Sequence, residues 1–139
     1  MTYAAATAEI ETKVTAISGL ESVADPRIES LITASKGAAD GAFLLKQITA
    51  GAEYAELSVN PLHWLAVMEL QVLTVVTTNA LTQSATHESR MRQITDTLCY
   101  PSNALSSSTI RKITRPDNER IGRNRRLVGR MRFEMVYTE

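Results

Sequence analysis

The sequence contains very little cysteine, few aromatic residues and no long apolar run. Cys99 is the only cysteine among 139 residues, so no internal disulfide bond can form, and no CxxC or clustered Cys/His spacing indicates zinc. No segment approaches the roughly 20 apolar residues of a membrane helix, and residues 1–8 lack the basic and apolar regions of a signal peptide. We expect a soluble protein of a reducing, cytoplasmic compartment, with no metal, cofactor or membrane contact.

The residues that are present suffice for one domain with an uneven charge distribution. Hydrophobic residues make up 44% of the chain, enough for a core, and we expect residues 1–139 to form a single domain. The formal net charge is zero, but residues 111–139 contain nine Arg/Lys against four Asp/Glu, and residues 1–110 contain six against eleven. An acidic body with a basic C-terminal segment favours self-assembly or a charged partner over small-molecule chemistry.

The basic C-terminal segment has the pattern of a β-strand. Between residues 125 and 138, mostly polar residues, interrupted by Val128 and Val136, alternate with residues of an apolar row: Leu127, Gly129, Met131, Phe133, Met135 and Tyr137. A period of two is typical of a half-buried strand. The arginines of this segment are therefore expected on an ordered strand and not on a disordered arm.

Hydrophobic periodicity predicts the remaining elements. Helices are expected at residues 8–18, in a short stretch from Asp25, and at about residues 86–99; strands are expected at residues 41–49, 53–59, 62–78, 109–115 and 125–138. The first two strands are interpreted as a pair. Residues 78–85 are interpreted as a polar linker. Residues 116–124 are expected to form a charged loop that is mobile until a partner orders it. This order indicates an α+β fold, with two or three helices packed on a mainly antiparallel sheet of about four or five strands.

The strand expected at residues 62–78 has the clearest core face. Its alternate residues are apolar apart from Thr74, whereas the opposite face is mixed and should be partly covered by a neighbouring element or another subunit. The predicted core consists of Trp64, Met68, Leu70, Phe133 and Met135 on the strands, with Ile10, Val14, Ile94 and Leu98 on the helices.

Residues capable of catalysis are scattered along the chain. His63 and His87 have no carboxylate partner at metal or triad spacing, so each is more typical of a surface or internally bonded polar residue. Cys99 is predicted to be a small buried residue at a helix C-terminus, where the helix dipole raises a thiol pKa. Glu53 and Glu56 lack a nearby His, Asp or Gly-rich loop and are interpreted as a solvated face. We expect no enzymatic activity.

The arginines of the C-terminal segment, together with Lys112, are candidates for an interface. The aromatic residues that stack nucleic-acid bases are not interleaved with them, since Phe133 and Tyr137 fall on the apolar face. Guanidinium groups can instead pair with carboxylates of a neighbouring copy. The predicted interface residues are Arg111, Arg115, Arg120, Arg123, Arg125, Arg126, Arg130, Arg132, Glu53 and Glu56. A nucleic-acid-binding module that uses these arginines is the alternative interpretation.

Four segments between residues 48 and 139 carry a resemblance to a known family. They are Ile48-Thr49-Ala50-Gly51-Ala52-Glu53-Tyr54, Trp64 with Glu69-Leu70-Gln71-Val72, Ser89-Arg90-Met91, and Phe133-Glu134-Met135-Val136-Tyr137. In these residues and in its order of elements, the chain resembles the tail terminator proteins of lambda-like long-tailed bacteriophages.

The resemblance implies a structural virion protein at the head-tail junction, assembled in the host cytoplasm. It implies an α+β protomer that forms a six-membered homo-oligomeric ring, caps the tail tube, ends tail growth and offers a docking surface to a head-completion or connector protein, with DNA passing through the lumen. It implies no catalysis. A ring needs contacts between unlike faces of one protomer, and an acidic body with a basic strand supplies unlike faces.

Overall fold

The computed structural model describes residues 2–22, 40–48, 54–56, 63–75, 80–99, 105–106, 108–114, 117–121 and 126–138. The elements in chain order are α1 (Tyr3–Thr15), β1 (Glu21–Ser22), β2 (Ala42–Gln47), β3 (Tyr54–Glu56), β4 (His63–Val75), α2 (Ala80–Cys99), β5 (Thr109–Ile113), β6 (Asp117–Ile121) and β7 (Arg126–Thr138). The predicted α+β fold is confirmed. The short helix expected from Asp25 lies outside the described residues.

A long antiparallel ribbon of β4 and β7 forms the centre of the sheet. The two strands pair over 13 residues each, from His63 opposite Thr138 to Val75 opposite Arg126. Two shorter strands flank each side of this ribbon: β2 and β3 pair with β4, while β5 and β6 pair with β7. Strand β1 adds parallel to β2, so the sheet is mixed, and its main path is β1-β2-β4-β7-β5.

One face of the ribbon packs against both helices and forms the core. In the register of the two strands, Met68 lies opposite Phe133 and Leu70 opposite Met131. Helix α1 adds Ala6, Ile10 and Val14 to this core, and α2 adds Met91, Ile94 and Leu98. The predicted core is confirmed, with Trp64 only partly buried at its margin. Period-two alternation in the strands places these apolar rows on one side of the sheet.

Helix α1 begins at Tyr3, earlier than the predicted start at residue 8. Thr2 is the N-cap, because its Oγ1 accepts a hydrogen bond of 3.2 Å from the backbone N–H of Ala5. The ring of Tyr3 packs edge-on against the ring of Tyr137, with 5.6 Å between centroids. The alanines of the first turn are strong helix formers, but they are too small to show an apolar face in the sequence.

Helix α2 also begins earlier than predicted, at Ala80. The predicted linker at residues 78–85 is therefore wrong for residues 80–85. The sequence there, ALTQSA, is mostly small or polar, and Leu81 is its only large apolar residue. The apolar stripe that reveals the rest of the helix is therefore weak in its first turns.

Two predictions about strands are wrong. Strands β2 and β3 are not a pair among the described strands, because both pair with β4: Phe43 lies opposite Val72, and Tyr54 lies opposite Leu65. Strand β6 occupies part of the predicted mobile loop at residues 116–124 and pairs with β7, with Asp117 opposite Arg130. Its sequence, DNERI, has low strand propensity, so pairing with a long neighbouring strand overrides the local preference.

A close backbone approach fixes the start of β2. Gly41 has a φ of 84°, and a Cβ atom at this position would lie 1.7 Å from the carbonyl oxygen of Gly19. The N–H of Glu21 donates to the Gly41 carbonyl at 3.0 Å, and the N–H of Gly41 donates to the Leu73 carbonyl at 2.9 Å. Glycine at this turn therefore holds β1, β2 and β4 together.

Candidate functional site: the charged face of the sheet

The sheet face opposite the helices carries a band of charged and polar residues. Lys46 lies opposite Glu69, and Glu69 lies opposite Arg132 on the next strand. On the other side of β7, Lys112 of β5 lies opposite Glu134 of β7. We call this band the charged face; it consists of Lys46, Glu69, Gln71, Lys112, Arg130, Arg132 and Glu134.

The apolar residues on the same side of the sheet are largely buried within the chain. Leu65 is 3% exposed, and both Leu73 and Val128 are fully buried. Glu69 and Gln71 of the charged face are buried as well, so the part of this side that is open to a partner consists of its exposed charged residues, such as Lys112 and Arg132. The prediction that the second face of β4 is partly covered is confirmed, because Leu65, Glu69, Gln71 and Leu73 are buried within the chain.

Glu69 lies at the centre of the charged face, with 5% of its side chain exposed. Its Oε1 accepts a hydrogen bond of 2.6 Å from Gln71 Nε2, and its Oε2 accepts one of 3.0 Å from Arg132 Nε. Lys46 Nζ lies 3.9 Å from Oε1. Burial by itself raises the pKa of this carboxyl group, but the two hydrogen bonds and the charges of Lys46 and Arg132 lower it, and the resulting pKa lies below the ordinary 4.5. Glu69 is therefore ionised at neutral pH.

Replacing Glu69 by Gln should lower the free energy of unfolding by about 1.5–3 kcal/mol near pH 7, because hydrogen bonds to a charged acceptor are lost. The folded pKa is depressed, so the stabilisation is present above the unfolded pKa and is lost as the pH falls through the folded pKa. Urea unfolding of both proteins near pH 7 and near pH 3 would measure this change.

The control for this prediction is Glu119→Gln, since the side chain of Glu119 is 57% exposed in its ion pair. We expect that substitution to change stability by less than about 1 kcal/mol. A Glu69→Gln effect of the same size at both pH values would contradict the ionised state of Glu69.

The predicted interface arginines whose side chains are described have carboxylate partners in the same chain. Arg130 Nη1 donates to Glu119 Oε2 at 2.8 Å, and Arg111 Nε lies 3.8 Å from Glu134 Oε2. Exposed ion pairs of this kind contribute only about 0–1 kcal/mol each. Such pairs can therefore be exchanged for pairs with a partner molecule at little cost.

The other predicted interface residues are described only in part or not at all. The backbones of Arg120, Arg126 and Glu56 lie in β6, β7 and β3, respectively. Arg115, Arg123, Arg125 and Glu53 lie outside the described residues.

The topology places two strands that each contain one glutamate, and one strand with two basic residues, on opposite sides of the ribbon. Strands β1 and β3 lie on the β4 side; each contains one glutamate, Glu21 or Glu56, and no Lys or Arg. Strand β5 lies on the β7 side and contains Arg111 and Lys112 but no Asp or Glu. We call β1 and β3 the acidic edge and β5 the basic edge.

The other short strands do not follow this division, since β2 on the β4 side contains Lys46, and β6 on the β7 side contains Asp117 and Glu119 with Arg120. The unlike charges therefore belong to these two edges and not to every strand of each side.

A second polar cluster lies beneath α2, near the end of β4. Arg90 Nη1 and Nη2 donate to the two carboxylate oxygens of Asp40 at 2.8 and 2.9 Å, and Nη1 also donates to Thr74 Oγ1 at 3.0 Å. Thr74 Oγ1 lies 2.8 Å from His87 Nδ1, and the N–H of Val75 donates to Asp40 Oδ1 at 3.0 Å. We call Asp40, Thr74, His87 and Arg90 the Arg90 cluster.

The Arg90 cluster is a structural clamp. The hydrogen bond from Arg90 lowers the pKa of Asp40, partial burial opposes this shift, and the Val75 N–H adds to it, with a net pKa below the ordinary 3.8. The bidentate pair therefore joins α2 to the turn before β2. His87 is buried and bonded to Thr74, in agreement with its interpretation as an internally bonded polar residue. The sequence feature that could have revealed this cluster is Thr74, the polar residue in the apolar row of β4.

Cys99 is exposed at the end of α2, so its predicted burial is wrong. Partial desolvation and the negative charge of Asp96 raise its pKa, which is the expected direction and the opposite of that in a reactive thiol. Within the described ranges, no three His, Cys, Asp or Glu side chains are grouped so that they could hold a metal ion. Neither described helix is both long and apolar enough to cross a membrane.

Comparison with known proteins finds a similar fold in a virion. No family model matches the chain, and no curated protein matches it. Among solved structures, a chain from the virion of a native gene transfer agent particle has the same fold, with a TM-score of 0.57 and 13% sequence identity. The similarity covers 99% of this chain and 100% of that one. At this identity the similarity concerns the fold.

Proposed function

We propose that the protein is a structural virion subunit, a tail terminator that forms a ring of six copies on the end of a phage tail tube. The observation that carries this proposal is the fold similarity to a chain of a virion particle over 99% of the length. The resemblance of the sequence to tail terminators rests on four short segments and not on the fold. It points to the same class of protein. In this role the ring ends tube growth and offers the surface on which a head-completion protein docks.

The opposite charges of the two edges support ring formation. A closed ring of identical subunits uses heterologous contacts, in which one surface of a protomer meets a different surface of the next. The acidic edge and the basic edge lie on opposite sides of the β4–β7 ribbon, and every copy contains both. The proposed ring contact consists of Glu53 and Glu56 facing some of Arg111, Arg115, Arg120, Arg123, Arg125, Arg126, Arg130 and Arg132.

The ring would have different partners on its two surfaces. The tail tube protein binds one surface and the head-completion or connector protein binds the other, while DNA passes through the lumen. The protein is then located in the virion at the head-tail junction. Its action depends on shape and contact, and no catalytic step is required.

Native mass spectrometry of the purified protein, alone and mixed with its tail tube protein, tests this proposal. We expect a species of about 92 kDa, six times the 15.3 kDa of one chain, in at least one of the two samples. Higher salt should shift it towards smaller species, because exposed charge pairs are screened. A protein that stays monomeric in both samples at all concentrations would contradict the proposal.

Nucleic-acid binding is the alternative function, and it would replace the proposed ring if the test below supported it. Arg130 and Arg132 each donate to a carboxylate of the same chain, which reduces the positive charge available for phosphate. If the protein were monomeric and bound duplex DNA of any sequence with a log-linear loss of affinity with salt, the C-terminal arginines would be a phosphate-binding surface.

A further inference from the structure

A small cavity lies on the charged face beside the basic edge. Its volume is about 170 Å³, and it is lined by Val67, Lys112, Thr114, Arg132, Phe133 and Glu134. Pockets for cofactors and drug-sized ligands usually measure about 300–1,000 Å³. This cavity is therefore too small for a nucleotide or cofactor and is suited to a single side chain.

Two cationic groups at this cavity have spare hydrogen-bonding capacity. Arg132 uses Nε to bind Glu69, and among the described residues its terminal nitrogens, Nη1 and Nη2, have no partner. Its side chain is 61% exposed. Lys112 is exposed and forms no ion pair within the described part of the chain. The buried Glu69 thus holds the Arg132 guanidinium by one edge, and the described residues leave the opposite nitrogens available.

The charge balance of the cavity favours an anionic ligand. Its lining contains two cations, Lys112 and Arg132, and one carboxylate, Glu134. That carboxylate already lies 3.8 Å from Arg111. A carboxylate offers acceptors for both the planar guanidinium and the ammonium group.

We propose that this cavity receives the carboxylate of an Asp or Glu side chain from a second copy of the chain. The carboxylate binds between Lys112 Nζ and the terminal nitrogens of Arg132. This inference rests on the proposed ring and names one of its contacts.

A second copy fits the cavity because the chain itself supplies the complementary charge. Residues 1–110 carry eleven Asp/Glu against six Arg/Lys, and the acidic edge lies on the side of the sheet away from the cavity. Within one protomer, β4 lies between that edge and the cationic groups of the cavity, which belong to β5 and β7. In a ring, the acidic edge of one protomer can approach the basic edge of the next, which makes it the expected source of the carboxylate.

Carbodiimide cross-linking tests this contact directly, because the reagent adds no spacer and joins a carboxylate only to a primary amine in contact with it, such as that of Lys112. Equal amounts of unlabelled and ¹⁵N-labelled protein are mixed, assembled and cross-linked, and the linked peptides are identified by mass spectrometry. We expect Lys112 to be linked to an Asp or Glu of residues 1–110, with the two peptides carrying different labels. Links to Lys112 only within one copy, or only to residues 111–139 of another copy, would overturn the proposal.

Charge reversal provides the second measurement. Lys112→Glu should raise the protein concentration needed for half-maximal assembly by at least about tenfold, since like charges facing each other across an interface are strongly unfavourable. Arg92→Glu is the matched control: it makes the same charge change at an exposed position on α2 and should leave assembly within about twofold of wild type. Thermal melting of both variants checks that the fold is retained.

The two proposals fail in distinguishable ways. If wild-type protein forms no oligomer, alone or with tube protein, the ring itself is wrong. If the ring forms, Lys112→Glu assembles like wild type and no Lys112 link joins two copies, only the assignment of this cavity is wrong. Equal loss of assembly in Lys112→Glu and Arg92→Glu would also overturn the assignment, because the effect would then follow net charge and not this site.

Discussion

Removing the carboxylate of Asp40 should destabilise the protein more than removing the guanidinium that it binds. In Asp40→Ala, the Arg90 side chain, which is 10% exposed, keeps its charge without the bidentate partner. Leaving a buried charge unpaired costs about 3–5 kcal/mol of stability. Urea unfolding monitored by circular dichroism would show this as a lower midpoint with a similar slope.

The reverse substitution, Arg90→Met, is the informative comparison. It leaves the carboxylate of Asp40, whose side chain is 52% exposed and can be hydrated. We expect a loss of about 1.5–3 kcal/mol, the value typical of hydrogen bonds to charged groups. The double variant should therefore be more stable than Asp40→Ala alone, since it contains no unpaired buried charge. A double variant that is less stable than both single variants would contradict the clamp.

Phe133→Ala should cause the other large loss of stability, about 3–5 kcal/mol, or roughly 10 °C or more in melting temperature. Phe133 is 2% exposed and lies opposite Met68 in the centre of the β4–β7 ribbon, beneath both helices. The truncation removes a large apolar surface and leaves a cavity that the rigid ribbon cannot close.

Differential scanning calorimetry of Phe133→Ala can be compared with Phe133→Leu and Ile48→Ala. Phe133→Leu preserves more of the buried volume and should cost clearly less. Ile48 is 38% exposed, so Ile48→Ala should change stability by less than about 1 kcal/mol. If Phe133→Ala had the same melting temperature as the wild-type protein, the assignment of the Phe133 face of β7 to the core would be wrong.

Local periodicity was sufficient to predict which side of each long element faces the core. The alternating residues of β4 and β7 and the apolar stripes of the two helices are visible in the sequence. Backbone geometry alone places residues two apart on one face of a strand, and residues three or four apart on one face of a helix. Where the pattern was weak, the prediction was wrong, as at the small and polar first turns of α2 and in the charged strand β6.

The candidate site was predictable in its charge but not in its geometry. The excess of arginine after residue 110 is a property of composition. That Arg132 is held at Nε by Glu69, 63 positions away in the chain, follows from the register of β4 with β7. The bond between Arg90 and Asp40 spans 50 positions and depends in the same way on the packing of α2.

The sequence by itself determined the fold class, the core faces of the long strands and helices, and the division into an acidic body and a basic C-terminal segment. Only the tertiary structure decided that β2 and β3 both pair with β4, that β6 is a strand, and that the acidic edge and the basic edge lie on opposite sides of one ribbon. The physical reason is that side-chain periodicity is a local property, whereas strand pairing uses backbone groups that every residue type except proline carries. Which strands meet is therefore settled by the packing of the whole chain.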